Sequence, residues 1–143
     1  MNLRIAVSSI MTEDLITISP NDTMKKVEDI FNREHIHHLP VIDEGKLVGI
    51  VSKTDYYHFK RGYNHAEVRE EVEEKRLISS KVQHVMTTGL AKLEPEDPLD
   101  VALEVFKENL FHALPIVRND HLRGIVTTLD VIKYFADTKV ENK

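Results

Sequence analysis

The chain has 143 residues, 41% apolar and 30% charged, with net charge −5 at pH 7 and no cysteine. This is a globular balance at about the length of one ordinary domain, and it excludes a disulfide framework and thiolate metal sites. No apolar run approaches the ~18 residues of a membrane span, the first residues lack a secretory pattern, and no basic stripe marks a nucleic-acid binder, so a cytoplasmic protein with neither membrane nor nucleic-acid partner is expected.

Sliding the sequence by 75 residues aligns it with itself without a gap. Fifteen of the 54 positions in 7–60 are identical to their counterparts in 82–135, including Met11/Met86, Thr12/Thr87, Pro20/Pro95, His37/His112, Gly49/Gly124 and Asp55/Asp130. In chain order, LITI (15–18) and LAKL (90–93) read as short strands. A helix follows in each half, capped by Asn21 or Asp22 in the first and starting in the second with Asp97 followed by Pro98 at the first helical position. Met24, Val27, Ile30 and Phe31 recur at helical spacing, as do Leu99, Ala102, Val105 and Phe106. Two strands come next, HLPVI and KLVGIV, with ALPIV and LRGIV in the second half. Their Gly/Asn/Asp-bearing connections suit antiparallel hairpins. A last helix starts at Ser52 or Thr127.

The expected unit is therefore β-α-β-β-α in an α/β (α+β) fold. A first repeat spans 7–61, a helical connector 62–79 and a second repeat 80–137. A unit of about 55 residues is marginal alone, so the two are expected to pack about a pseudo-two-fold axis as one compact module. In the connector, Gly62 and Asn64 break the preceding helix and AEVREEVEEKRL (66–77) forms another, with Val68, Val72 and Leu77 apolar. It is either a solvated surface element or a contact for a partner.

Each half carries the same word, GIVSKTD (49–55) and GIVTTLD (124–130). Ser/Thr-x-x-Asp between a strand and a helix is a variant of the capping box. The same geometry serves a ligand: helix N-terminal amides attract phosphate, a hydroxyl adds a donor, and a carboxylate suits a ribose diol. On that reading Asp55 and Asp130 hold a sugar while Ser52 and Thr127 face a phosphate. His37 and His112 recur in register and are either packing residues or ligand contacts. His35, His37 and His38 do not all share one strand face, so no metal site is expected. Pro40 and Pro115 begin strands and remove a donor, which suits an edge. Met11 and Met86 are core residues or line an apolar slot. No nucleophile elbow, Walker loop or dinucleotide fingerprint is present, and no enzyme is expected.

Duplicated β-α-β-β-α units, Met-Thr near each start, L-P-V/I before a hairpin and G-I-V-S/T-x-x-D after it resemble a tandem pair of CBS (cystathionine-β-synthase) domains over residues 7–137. The resemblance implies a regulatory sensor whose clefts between the halves bind adenosine derivatives: AMP, ADP, ATP or S-adenosylmethionine. Carried over by position, Asp55 and Asp130 match a ribose-binding aspartate, and Ser52 and Thr127 the hydroxyl beside the phosphate. Ile16 and Ala91 match strand positions lining the adenine pocket. His37, with His112 as its counterpart, resembles a histidine that reaches phosphate. Lys53 and His38, replaced by Thr128 and Ala113 in the second half, add cationic potential on one side. The resemblance also implies a homodimer through Tyr56–Lys60 and Val131–Phe135, and a separate regulated protein. The other reading is an interaction or scaffold protein with vestigial clefts.

Overall fold

The structure, a computed structural model, describes residues 2–61 and 70–141. The elements are α1 (Met24–Arg33), β1 (His38–Asp43), β2 (Lys46–Ser52), α2 (Lys53–Arg61), α3 (Glu70–Ser79), α4 (Leu99–Lys107), β3 (Ala113–Arg118), β4 (His121–Thr127) and α5 (Thr128–Glu141). The fold is mixed α/β, with one two-stranded antiparallel sheet in each repeat.

Both hairpins close through two-residue turns. Glu44 and Gly45 have φ of 50° and 82°, and Asn119 and Asp120 have 52° and 66°. Positive φ at both central residues matches the right-handed strand twist, which is why Gly, Asn and Asp supply three of the four positions. Each ladder shifts register at the same place, between Val41 and Ile42 and between Ile116 and Val117.

The strands expected at 15–18 and 90–93 shrink to one-residue parallel bridges, Ile18 to Val41 and Leu93 to Ile116. Prolines explain this. Ile18 N–H donates to the Pro40 carbonyl (3.0 Å), and Ile42 N–H to the Ile18 carbonyl (2.8 Å). Extending this ladder backward needs an N–H at residue 40, and extending it forward needs one at residue 20. Both residues are proline. Pro115 and Pro95 stop the Leu93 bridge in the same way. Pro40 and Pro115 thus sit third in their strands rather than first, with the missing donor on the edge facing away from the hairpin partner.

Helix entry differs by a residue or two from the sequence expectation. Thr23 caps α1 by accepting from Lys26 N–H, while Asp22 accepts from the Ser19 amide at 2.7 Å. Pro98 occupies the cap position of α4 with no side-chain cap, and Asp97 accepts from Glu94 N–H.

The chain forms two compact units that are offset from the sequence repeats: Ile16–Gly89, and Met1–Leu15 together with Leu90–Lys143. The first, the GIVSKTD unit, has a core of Met24, Val27, Ile30, Phe31, Leu39, Val41, Val51 and Tyr56, joined by Leu77 and Val82. The second, the GIVTTLD unit, has a core of Leu99, Ala102, Leu114, Ile116, Val126 and Val131, joined by Val7. The apolar positions of α1 expected from periodicity are all buried; in α4, Leu99 and Ala102 are buried and Val105 and Phe106 partly so.

The connector helix lies on the GIVSKTD unit. Leu77 is buried and the Arg76 guanidinium stacks 3.8 Å from the Phe59 ring. Lys25 and Lys60 both pair with Glu28 of α1, and they reach Glu74 and Glu73 of α3. Val72 is exposed. The expected break at Gly62 and Asn64, and the connector residues before Glu70, lie outside the described residues.

Candidate functional site

Each unit presents one strand-to-helix corner built from its repeated word. Ser52 ends β2 and α2 starts at Lys53. Ser52 N–H donates to Asp55 Oδ2 (2.9 Å), and Asp55 N–H donates to Ser52 Oγ (3.0 Å). This is a complete reciprocal capping box. Lys53 N–H, another first-turn donor, goes to the His37 carbonyl (2.9 Å). At the other corner Thr127 N–H donates to Asp130 Oδ2 (2.9 Å), Asp130 N–H to Thr127 Oγ1 (3.2 Å), and Thr128 N–H to the His112 carbonyl (3.1 Å).

At Asp130 the Thr127 hydroxyl also donates to Oδ2 (3.1 Å), and each carboxylate is reached by one group from outside its own word. Thr87 Oγ1 lies 3.1 Å from Asp55 Oδ2 and 3.3 Å from Oδ1, and Thr12 Oγ1 donates to Asp130 Oδ1 at 3.1 Å. These threonines belong to the Met-Thr word of the opposite repeat. Backbone pairs hold them in place: Thr87 exchanges two hydrogen bonds with Ile50, and Thr12 exchanges two with Ile125. The preceding methionines lie over the glycines of the corner words. A Cβ on Gly49 would stand 2.6 Å from Met86 Sδ and 3.0 Å from the Thr87 carbonyl oxygen; on Gly124 it would stand 2.6 Å from Met11 Sδ and 2.9 Å from the Thr12 carbonyl oxygen. The repeated glycine thus makes room for the Met-Thr segment, and Met11 and Met86 are partly buried packing residues.

The sequence-derived candidates divide between the corners. Ile16, His37, Pro40, Ser52, Lys53 and Asp55 belong to the GIVSKTD unit; Ala91, His112, Pro115, Thr127 and Asp130 belong to the GIVTTLD unit. His37 and His112 are exposed and serve the corner through their backbone carbonyls; Ile16 and Ala91 are partly buried against their unit's core. Pro40 and Pro115 are buried in the sheets. Sequence reasoning did not single out Thr12 and Thr87 as partners of the aspartates, although their identity at the 75-residue period was the available signal. Among the described residues, no cluster of three or more His, Asp or Glu is arranged to hold a metal. No described helix is long and apolar enough to cross a membrane.

The family model described as CBS domain matches residues 7–61 and 82–137. The uncharacterized protein MJ1225 of Methanocaldococcus jannaschii is 31% identical over 137 residues, covering 91% of this chain and 47% of that protein. Its crystal structure superposes with a TM-score of 0.81 at 28% identity, over 94% of this chain and 49% of that one. The CBS domain pair of MJ0100, in complex with 5-methylthioadenosine and S-adenosyl-L-methionine, matches with a TM-score of 0.73 at 25% identity, over 94% and 98% of the two chains. CBSX2 in complex with AMP shares the fold, with a TM-score of 0.78 at 23% identity over 94% and 98%. The chain spans 47%, 32% and 42% of the length of three curated relatives from M. jannaschii, so it corresponds to a part of each.

Proposed function

The chain belongs to the CBS domain family, and on that premise we propose that it is a regulatory module binding adenosine nucleotides (AMP, ADP or ATP) at its two corners, acting on a separate protein and catalysing no reaction itself. The observation carrying this reading is the doubled corner. A carboxylate has about four lone-pair directions. The capping amide and the Thr87 hydroxyl occupy part of that capacity at Asp55; at Asp130 the capping amide and the hydroxyls of Thr12 and Thr127 do so, and the remaining capacity suits the hydroxyls of a ribose. Ser52, Thr127 and the exposed histidines beside them suit a phosphate, and Lys53 adds a cation at one corner. Ile16 and Ala91 are the proposed adenine-side residues, and Pro40 and Pro115 set the sheet edge beside them. MJ0100, at 25% identity, holds two adenosine derivatives, which supports the adenosine class and keeps S-adenosylmethionine among the ligands to test.

A second reading has its own observation: each capping box is complete without any ligand, as expected of an interaction protein whose repeated words serve architecture. Calorimetric titration and thermal shift with AMP, ADP, ATP and S-adenosylmethionine separate the two. Saturable binding with stabilisation supports the sensor, since a ligand that binds only the folded state stabilises it. No response to any of them at millimolar concentration supports the scaffold.

Assembly as a homodimer belongs to the same proposal. The candidate faces need one correction: Tyr56 and Val131 are buried in their cores, and among the described residues the large exposed apolar side chains on those helices are Tyr57 on α2 with Leu129 and Ile132 on α5.

A further inference from the structure

The two corners share the carboxylate that fits a ribose, with one more hydroxyl, that of Thr127, donating to it at Asp130, and they differ in what meets a charge. Carboxylate, capping hydroxyl and histidine carbonyl recur in both. The residue after the hydroxyl does not: it is Lys53 at one corner and Thr128 at the other. Lys53 opens α2, where the helix macrodipole disfavours a cation. It is partly buried. Among the described residues it is the one lysine or arginine that is partly buried and makes neither an ion pair nor a side-chain hydrogen bond; Lys25, Lys60, Arg76 and Arg118 all have partners. The one acid in the first turn of α2, Asp55, is turned toward the Ser52 amide and Thr87. A cation held against the dipole without a carboxylate is matched by an anion that comes and goes.

We infer that Lys53 is a specificity-determining residue that makes the Asp55 corner select phosphorylated adenosine, whereas the Asp130 corner takes the adenosine moiety with or without phosphate. This rests on the nucleotide reading above. His37 and His112 are common to both corners and cannot produce the difference; His38, which stands where the second half has Ala113, is left in place in every variant below, so a change on replacing Lys53 reports the lysine alone. In a chain of net charge −5, Lys53 also supplies the local attraction a polyanion needs against the overall field.

The test uses the full chain and calorimetry with adenosine, AMP and ATP. Asp130→Asn reports the Asp55 corner and Asp55→Asn the other. With Asp130→Asn, AMP should bind about tenfold or more tighter than adenosine, the scale of a charge-assisted contact. Adding Lys53→Thr, the residue the other corner already carries, should lower that ratio severalfold while adenosine affinity holds. Lys53→Gln, which keeps chain length and loses only the charge, should do the same. With Asp55→Asn the ratio should be severalfold lower than with Asp130→Asn, and adding Thr128→Lys should raise it. An unchanged AMP-to-adenosine ratio in both Lys53 variants overturns the inference and leaves the nucleotide reading standing. Failure of the unsubstituted chain to bind adenosine, AMP or ATP overturns both.

Discussion

The hydroxyl of Thr87 lies within 3.1 and 3.3 Å of the two carboxylate oxygens of Asp55, although the residues are 32 positions apart and come from different sequence repeats. Thr12 and Asp130 form the equivalent pair across 118 positions. Each Met-Thr segment is thereby tied to a corner word by side chain as well as backbone. Replacing the hydroxyl with a methyl leaves the backbone pair and removes one bond to a charged acceptor. Both ends are partly solvated, so the loss should be about 0.5–1.5 kcal/mol. Thr87→Val and Thr12→Val should each lower the melting temperature by a few degrees; a melting temperature equal to the parent's in both variants would show that the bond contributes nothing.

Asp55 stabilises its helix and is proposed to hold a ligand, and two substitutions separate the roles. An asparagine side-chain oxygen still accepts from the Ser52 amide, whereas alanine cannot. Asp55→Ala should cost roughly 0.5–2 kcal/mol of stability, with Asp55→Asn close to the parent. Both should weaken nucleotide binding at that corner by about tenfold to a hundredfold, because a neutral amide cannot accept two hydroxyls as a carboxylate does. Chemical denaturation and calorimetry read the two quantities separately. Unchanged affinity in both variants, with only the alanine destabilised, would assign the repeated word to architecture.

Gly49→Ala should destabilise the fold by about 1–3 kcal/mol, the scale of overpacking. The flexible Met86 tail, 2.6 Å from the new methyl, can move; the Thr87 carbonyl, 3.0 Å away, is fixed in its bridge to Ile50. Shortening Met86 to alanine in the Gly49→Ala background should therefore relieve the strain only in part. Full rescue in denaturant melts would show that the thioether alone dictates the glycine.

Acid sensitivity should centre on Glu28. Burial raises its carboxyl, but hydrogen bonds from Tyr56 (2.5 Å) and Lys25 and the charge of Lys60 outweigh it and hold it below its ordinary 4.5. A carboxyl depressed in the folded state adds stability that is present above its unfolded value and lost as pH falls through the folded one. Glu28→Gln should therefore be less stable than the parent at pH 7, and the gap should close below about pH 4.5. Tyr56 shifts the other way: burial, then its bond to Glu28, raises the phenol. The parent should accordingly lose stability above the ordinary tyrosine value of 10.0, a loss that Tyr56→Phe should not show. A constant gap between Glu28→Gln and the parent from pH 3 to 7 would remove Glu28 as the acid-sensitive group.

Ile132→Asp together with Leu129→Asp should yield monomers if the exposed stripe on α5 is the proposed dimer face. Sedimentation at tens of micromolar reads it directly. A parent that already sediments at 16.5 kDa would remove the homodimer.

The 75-residue repeat, the hairpins with their Gly/Asn/Asp turns and the buried stripe of α1 were legible in the sequence because each rests on local rules: side-chain period and positive φ. The Ser/Thr-x-x-Asp corner was legible for the same reason, since a capping box closes within four residues. Strand length at 15–18 and 90–93 was misread although the prolines were in view. Their effect depends on which edge of a neighbouring strand they face, and pairing settles that.

Only the tertiary structure decided which copy of each word meets which. Met11-Thr12 and Met86-Thr87 are equivalent in sequence, and so are Gly49 and Gly124; nothing local tells Met11 to lie on Gly124 rather than on Gly49. The chain resolves this by placing residues 1–15 with 90–143 and keeping 16–89 together. Those pairings bring together groups from distant parts of the chain, through backbone bridges and a thioether against a glycine that any matching copy could make. Chain connectivity and packing therefore select the partner, and a repeat that is symmetric in sequence cannot announce the choice.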